Sequence, residues 1–343
     1  MGKVFAGIDF HKNKTVICAV YQDGSAVEPI KTINSSRIFE YFSNKKDWEL
    51  AIEASGGTNH VVTKLKKMGL EVKLVNSNIF RGIGIGGKKT DHRDAKALAN
   101  YLRLGGVSEV HVRSVYSREI KSLIVNREMI LRSRVNMTNH IRGVLKEYGL
   151  LIPVGTDHFF KEVGQKISQI ENGYIQSSLE EMLEMVRRLV AQQKVLENRL
   201  QEIALKDERV ERLKTIPGVG EMISLMVIAV IDDISRFKNS REFSSYLGLV
   251  PKVNASAEKR MMGSITRSGS EILRRYLIHG ARAWMRYNST GDENRAWAER
   301  VKERRGMNKA TVALAHRMAR IIFAVLRDND VYWGKKKKQQ VAA

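Results

Sequence analysis

Four carboxylates sit where the surrounding residues make them candidates for chemistry: Asp9, Glu53, Asp91 and Asp94. Asp91 and Asp94 are one helical turn apart at the head of Thr90-Asp91-His92-Arg93-Asp94-Ala95-Lys96-Ala97-Leu98, a good helix-forming run, so both side chains leave one helix face. Asp9 ends the apolar run Val4-Phe5-Ala6-Gly7-Ile8, and Glu53 ends a second strand-like run that begins at Trp48. An acid at the end of an apolar strand is costly unless it binds something. Four hard oxygen donors brought together would suit Mg2+ or Mn2+ and not zinc, and a pair of such ions clamps a phosphodiester during in-line displacement. For the helical pair a purely local reading also stands: Asp91 as the N-cap, with Asp94 favouring the positive helix end.

Convergence of these acids depends on the elements that carry them. Residues 3–12 and 14–21, the turn signal Asp23-Gly24 and residues 27–33 predict a three-stranded antiparallel meander. A short helix over 37–42, a strand over 48–53, a helix over 59–68 and a strand over 71–75 follow, which together predict a mixed α/β sheet. The acids meet if the first and fourth strands are neighbours and the helix from Asp91 packs across them. Beyond this, residues 117–147 carry apolar positions at helical spacing opposite Arg118, Arg127, Arg132, Arg134 and Arg142, an arginine face read as meeting nucleic acid. A second long helix over 179–205 places Met182, Leu189, Leu196 and Ile203 a heptad apart, with Val186 and Leu200 between them and Gln193 at the remaining inner position. The pair predicts a coiled-coil connector, either an antiparallel hairpin or a dimer contact.

Composition narrows the partners. The 343 residues suffice for two or three domains, and Lys+Arg 59 against Asp+Glu 37 gives a formal charge of +22 spread along the chain, which points to a polyanion. Spanning a bilayer needs roughly 18 to 20 apolar residues. The longest apolar run, 222–231, is too short for that. Cys18 is the only cysteine, so neither an internal disulfide nor a cysteine metal cage is available, and with no signal-like leader the expected setting is a reducing cytoplasm.

Gly7-Ile8-Asp9, Ile52-Glu53-Ala54-Ser55-Gly56 and Lys89-Thr90-Asp91-His92-Arg93-Asp94-Ala95 together resemble the Asp-Glu-Asp-Asp signature of the insertion-sequence transposases whose N-terminal domain is similar to the junction resolvase RuvC. That family includes Piv-like DNA invertases and bridge-RNA-guided serine recombinases. The sequence departs from it at Gly57, where the family often has a threonine followed by an aromatic. Between these motifs, Arg81 to Lys89 form a glycine-rich basic loop without the P-loop spacing, read here as carrying Arg81, Lys88 and Lys89 toward nucleic-acid backbone, or as a flexible linker.

In the last third, Pro217-Gly218-Val219-Gly220 before an apolar helix resembles a helix-hairpin-helix motif, whose glycines Gly218 and Gly220 would let backbone N–H groups approach a phosphate; an ordinary tight turn is the equal alternative. The stretch 243–275 resembles the C-terminal transposase domain of the same family, with Gly248-Leu249-Val250-Pro251 and a closing Gly263-Ser264-Ile265-Thr266-Arg267-Ser268-Gly269. The resemblance implies that Ser256, five residues after Pro251, is a nucleophile that forms a phosphoserine intermediate. Ala257 replaces the usual following glycine. A serine hydroxyl needs activation, and the family builds a composite site in which the carboxylate-bound metal supplies it. Lys259, Arg260 and Arg267 would hold the phosphate, and Arg274 and Arg275, near the start of the next helix, are further nucleic-acid-binding candidates. His279 and His316, on apolar helices, read as structural.

The expected architecture is an α/β RuvC-like domain of the RNase H fold over 1–115, a helical coiled-coil connector over 116–206, a mainly α serine-bearing transposase domain over 207–334 and a basic tail over 335–343. The resemblance implies a Mg2+-dependent (or Mn2+-dependent) DNA recombinase acting on double-stranded donor and target DNA, paired to them by a bridge RNA. It also implies a homo-oligomer, dimer or tetramer, in the nucleoid of a bacterial or archaeal cytoplasm. A junction-resolving nuclease using metal-activated water, and a non-catalytic nucleic-acid-binding scaffold, are the alternatives.

Overall fold

A computed structural model describes residues 2–76, 90–256, 259–286 and 292–333, with side chains throughout these except at 253–262. The chain divides into two compact units, Met1–Arg113 and Ser114–Ala343.

The first unit is built on a five-stranded mixed sheet. Strands β1 (Val4–Phe10), β2 (Lys14–Tyr21) and β3 (Lys31–Asn34) form the antiparallel meander, while β4 (Trp48–Glu53) and β5 (Glu71–Val75) run parallel to β1 in the order β3-β2-β1-β4-β5. The first and fourth strands are therefore neighbours, as the convergence of the acids requires. The third strand is shorter than the expected 27–33, beginning only at Lys31 after a single bridge at Val20 and Ala26. Pro29 lies in that gap and has no N–H to give to a ladder.

Helices cover both sheet faces. Helices α1 (Ile38–Phe42) and α2 (Thr58–Lys67) bury Ile38, Phe42, Val61, Val62 and Leu65 against one, and α3 (Asp91–Arg103) buries Ala95, Leu98, Ala99 and Leu102 against the other. Helix α3 lies on β1 at near-backbone distance because position 7 has no side chain. A Cβ built on Gly7 would stand 2.1 Å from the Ala95 carbonyl oxygen and 2.4 Å from the Ala99 nitrogen.

In the second unit α4 (Val115–Glu147) and α6 (Gly173–Lys206) pair antiparallel. Ile120 and Ile124 share a cluster with Leu200 and Ala204 at one end, and Ile141 and Leu145 share another with Leu179, Leu183 and Val186 at the other. The expected seam thus forms within one chain, shifted so that Leu179, Leu183 and Ala204 are buried while Met182, Leu189, Leu196 and Ile203 sit half-covered. Gln193 donates to Glu197 at 2.9 Å, and Glu197 accepts from Arg127 at 2.7 Å, so the polar point of the seam is a cross-helix ion pair. Helix α5 (Thr156–Ile167), which the sequence pattern did not announce, caps the far end with Phe159, Val163 and Ile167.

Helices α7 (Glu208–Lys214), α8 (Glu221–Ile231), α9 (Ser240–Tyr246), α10 (Glu271–Arg286), α11 (Glu293–Arg305) and α12 (Met307–Asp328) complete this unit. The apolar run 222–231 is its central helix α8, buried from Ser224 to Ile231, and Trp284 is wholly buried beside it. The connector and the last third share this core, since Ile120, Ile124, Leu200 and Ala204 belong to it. No helix among the described residues is long and apolar enough to cross a membrane. Within this largely helical unit, β6 (Pro251–Ser256) and β7 (Lys259–Ile265) form an antiparallel hairpin that the expectation of helices and loop did not include. The alternation Lys252-Val253-Asn254-Ala255-Ser256 carries its period of two.

The Gly7 contact sets a stability test. Gly7→Ala forces α3 off β1 and is expected to cost about 1–3 kcal/mol, the usual range for overpacking a core. Gly56→Ala, where a Cβ meets nothing within 4 Å, is expected to leave the melting temperature unchanged. Thermal unfolding of the two variants side by side checks this.

Candidate functional site

The acids of the first unit meet at one edge of the sheet. Ile8 is paired with Ile52 in the parallel β1–β4 ladder, so Asp9 and Glu53 are the next residues of adjacent strands and end them together. Opposite residues of a ladder share a face, and Asp9, two residues past Gly7, lies on the face covered by α3. The N-terminus of α3 then brings Asp91 and Asp94 to the same edge. Its N-cap is Thr90, whose hydroxyl accepts from the Arg93 N–H, so Asp91 is the first helical residue and not the cap. Both first-turn carboxylates thus stand at the helix start without serving as its cap.

A ring nitrogen of His11 and one oxygen from each of Asp9 and Asp91 lie within 4.8 Å of one another. Asp94 and Glu53 stand outside this close group; Asp94 still acts on Asp9 through its charge. His11 Nε2 is 3.2 Å from Asp9 Oδ2, and Lys14 Nζ is 3.5 Å from Asp91 Oδ2. His11 is the residue that reading the motifs missed. It lies in the turn just past β1, so strand periodicity does not mark it, and only the folded chain brings Asp91 beside it.

Two buried acids in this sheet show what sets Asp9 apart. Glu49 is 4% exposed and Asp9 6%. Burial would push Glu49 up, but hydrogen bonds and charges from Lys3 (2.8 Å) and Lys73 (2.5 Å) outweigh it and hold the carboxyl below its ordinary range. For Asp9 burial wins: it raises the carboxyl above its ordinary value, His11 opposes it by charge and hydrogen bond, and the smaller effects of Asp91 and Asp94 push it up again. Asp9 is thus a desolvated carboxylate among like charges, the condition that a bound cation relieves. Asp9, His11 and Asp91, with Asp94 and Glu53 beside them, are the residues that could hold a metal ion.

The second unit holds the remaining candidates. Ser256 is the last residue of β6 and pairs with Lys259, the first of β7, so it stands at the hairpin tip; Ala257 and Glu258 lie outside the described residues. Lys259 and Arg260 are the first residues of β7. Arg267, exposed and in a left-handed backbone conformation at φ 59°, follows the hairpin at its base. Arg274 is buried and donates to the Ser268 carbonyl at 2.7 Å, fixing that base. Arg275 pairs with the buried Glu128 of α4, which also accepts from Tyr276 at 2.6 Å and from Arg127 at 3.2 Å. Arg142 donates to the Gly155 carbonyl at 2.7 Å. Gly218, at φ 80°, is accounted for by packing, since a Cβ there would lie 2.1 Å from the Gly280 carbonyl of α10; Gly220 is exposed at the N-terminus of α8. Arg81, Lys88, Lys89 and the tail lysines lie outside the described residues.

Beside the hairpin base runs a groove of about 1270 Å³ lined by Arg267, Arg275, His279, Arg282, Lys309 and His316 among others. His279, Arg282 and Lys309 are exposed; His279 reads as structural in the sequence, and Arg282 and Lys309 carry no motif because they come from two helices distant in sequence. His316 is held below its ordinary value by burial and by Arg320 and Arg317, so it lines this wall as a neutral imidazole.

The raised Asp9 carboxyl has a definite pH signature. The folded state binds the Asp9 proton more tightly than the unfolded chain, so this contribution to stability is complete below the ordinary value of 3.8 and is lost as pH rises through the folded value. In chelator at neutral pH, Asp9→Asn is therefore expected to melt above the wild type, and the difference to vanish below pH 3.8. Thermal melts across pH measure it.

Comparison with known proteins agrees with this arrangement in both units. Residues 6–150 match the DEDD transposase model of the IS110 type, and residues 210–295 match the model for transposases of the IS116/IS110/IS902 family. Over 331 residues the chain is 30% identical to the transposase for insertion sequence element IS1111A of Coxiella burnetii, covering 95% of this chain and 90% of that protein. It is 27% identical to a probable family 20 transposase of Pseudomonas aeruginosa, covering 95% and 94% of the two chains. It is 24% identical to the pilin gene-inverting protein of Moraxella lacunata, covering 96% and 97%. A protein matched along nearly its whole length to such relatives belongs to the IS116/IS110/IS902 family of insertion-sequence transposases.

Proposed function

We propose that this transposase cuts and rejoins DNA strands through Ser256, assisted by a divalent ion, Mg2+ or Mn2+, held by Asp9, Glu53, Asp91 and Asp94. The observation that carries the reading is the desolvated Asp9 beside Asp91, under a helix that Gly7 admits to the sheet. The mixed sheet, with acids ending β1 and β4, supports a RuvC-like domain of the RNase H fold. When bound, the ion supplies Lewis-acid stabilisation of phosphoryl oxygens.

In this reading the Ser256 hydroxyl attacks a backbone phosphorus, its proton leaves to a base, and the departing DNA oxygen takes a proton as the phosphoserine bond forms. Reversal by the hydroxyl of a different strand rejoins the ends and frees the serine. Lys259, Arg260 and Arg267 hold the phosphate as charge develops on its oxygens, while Arg282 and Lys309 continue the cationic path along the groove. Arg274 and Arg275 serve it by fixing the hairpin base and joining α10 to α4. The net charge of +22 and the family resemblance support DNA as substrate and a bridge RNA as guide. Several strands must be processed together, which calls for a dimer or tetramer.

Denaturing gels of protein incubated with donor and target DNA test the serine. The wild type is expected to give a covalent protein–DNA adduct, and Ser256→Ala to give none, with recombination reduced on the order of 1000-fold or more. Asp9→Ala is expected to lose strand transfer while gel-shift binding survives. An adduct that persists in Ser256→Ala overturns the serine mechanism in favour of metal-activated water. Sequencing of co-purifying RNA decides the guide: a discrete non-coding species is expected, and its absence points to direct readout.

A further inference from the structure

The four-acid reading gives His11 no role, yet the fold fixes its position closely. Its N–H donates to the Lys14 carbonyl at 3.2 Å, and its carbonyl accepts from Ser35 Oγ at 2.7 Å. Ser35 is buried, its hydroxyl lies 2.8 Å from that of the buried Thr15, and its own N–H donates to the Asn13 carbonyl at 3.2 Å. A buried hydroxyl pair thus clamps the turn between β1 and β2 from β3's end. An exposed turn gains little from such a clamp unless a residue in it must be held in register. The residue so held directs its ring to Asp9, 3.2 Å away, with Asp91 in the same close group. Adjacent ligands on a small divalent ion with bonds of about 2.1 Å stand about 3 Å apart, so the Asp9–His11 separation already fits a shared ion. The ring is 57% exposed, which leaves it free to turn toward one.

We propose that His11 is a nitrogen ligand of the ion held by Asp9 and Asp91, and that this imidazole makes the centre favour Mn2+ over Mg2+. The proposal rests on the metal-centre reading above. Mg2+ is hard, prefers oxygen and keeps its waters, whereas first-row transition ions accept imidazole readily. A carboxylate-only edge would not discriminate in this way. The neutral imidazole supplies the lone pair, and the carboxylates supply the charge that retains the ion.

Pulsed electron paramagnetic resonance of Mn2+ bound to the full-length protein tests it without any DNA. Wild-type protein is expected to show 14N coupling at the bound Mn2+, absent in His11→Ala. Mn2+ affinity is expected to fall roughly 10- to 100-fold, the scale seen when support for a metal site is removed. Mg2+ affinity, read by competition, is expected to change little. His11→Gln, which keeps polarity and bulk, is expected to behave as His11→Ala, and far-UV circular dichroism confirms that both are folded. Bound Mn2+ without 14N coupling, or equal losses for the two ions, overturns the histidine ligand alone. Mn2+ binding that is undiminished in Asp9→Asn overturns the metal-centre reading and this proposal with it.

Discussion

The close approach of helix α3 to strand β1 is the contact on which the candidate metal centre depends. Backbone meets backbone at Gly7, where a single methyl would collide with Ala95 and Ala99. Because the helix lies so close, its first turn reaches the sheet edge at the height of Asp9, two residues further along the same face. Any larger residue at position 7 would lift the helix and carry Asp91 and Asp94 away from Asp9. The glycine of Gly7-Ile8-Asp9 is therefore a spacing device, and the motif joins it to the carboxylate because the two act at one edge.

Part of this was legible in the sequence and part was not, for physical reasons. Strands β4 and β5 occupy the residues the sequence marked, 48–53 and 71–75: β4 is buried along nearly its whole length and shows the apolar run Leu50-Ala51-Ile52, while β5 alternates buried Val72 and Leu74 with the more exposed Glu71 and Lys73. Convergence of the acids requires β1 to pair with β4, but periodicity carries no partner information and cannot supply that pairing. The N-cap falls one position before the expected Asp91: Thr90 and Asp91 are both good caps, and only the backbone decides between them. His11 escapes a motif search because a lone histidine after a strand carries no local signal; its meaning comes from Asp91, eighty residues on. The hairpin is masked in the sequence because its serine and cations stand out more than its alternation.

Reading cations by charge alone assigned several arginines to nucleic acid that the fold uses internally. Arg127 and Arg275 converge on Glu128, a buried acid in a helix whose opposite face is basic. A buried carboxylate needs such partners, since an unpaired one would be strongly destabilising. Glu128 thus recruits charge from α10 and ties the long hairpin to the last third of the chain. Arg274 and Arg142 are spent on backbone carbonyls in the same way. Among the cations of the groove wall, Arg267, Arg282 and Lys309 face solvent.

The two charge patterns impose a coupling between ion and nucleic acid. A chain with a net charge of +22 attracts phosphate from a distance, but within the first unit a phosphate nearing Asp9, Asp91 and Asp94 meets carboxylates, one of them already desolvated by the sheet. At contact range this local repulsion, offset in part by Lys14 beside Asp91, weighs more than the attraction of lysines farther than about 10 Å, which is largely lost at 0.1 M salt. A divalent ion held by Asp9, Asp91 and Asp94 would offset most of their negative charge and would offer a phosphate oxygen a cation to bind. Linkage then requires the reverse effect: DNA engaged at this edge tightens the ion by the same factor. On the proposed reading, a site assembled from repelling acids in a cationic protein would be kept off the duplex until the ion is in place, and the Gly7 contact, by fixing how close those acids come, would set the strength of that coupling.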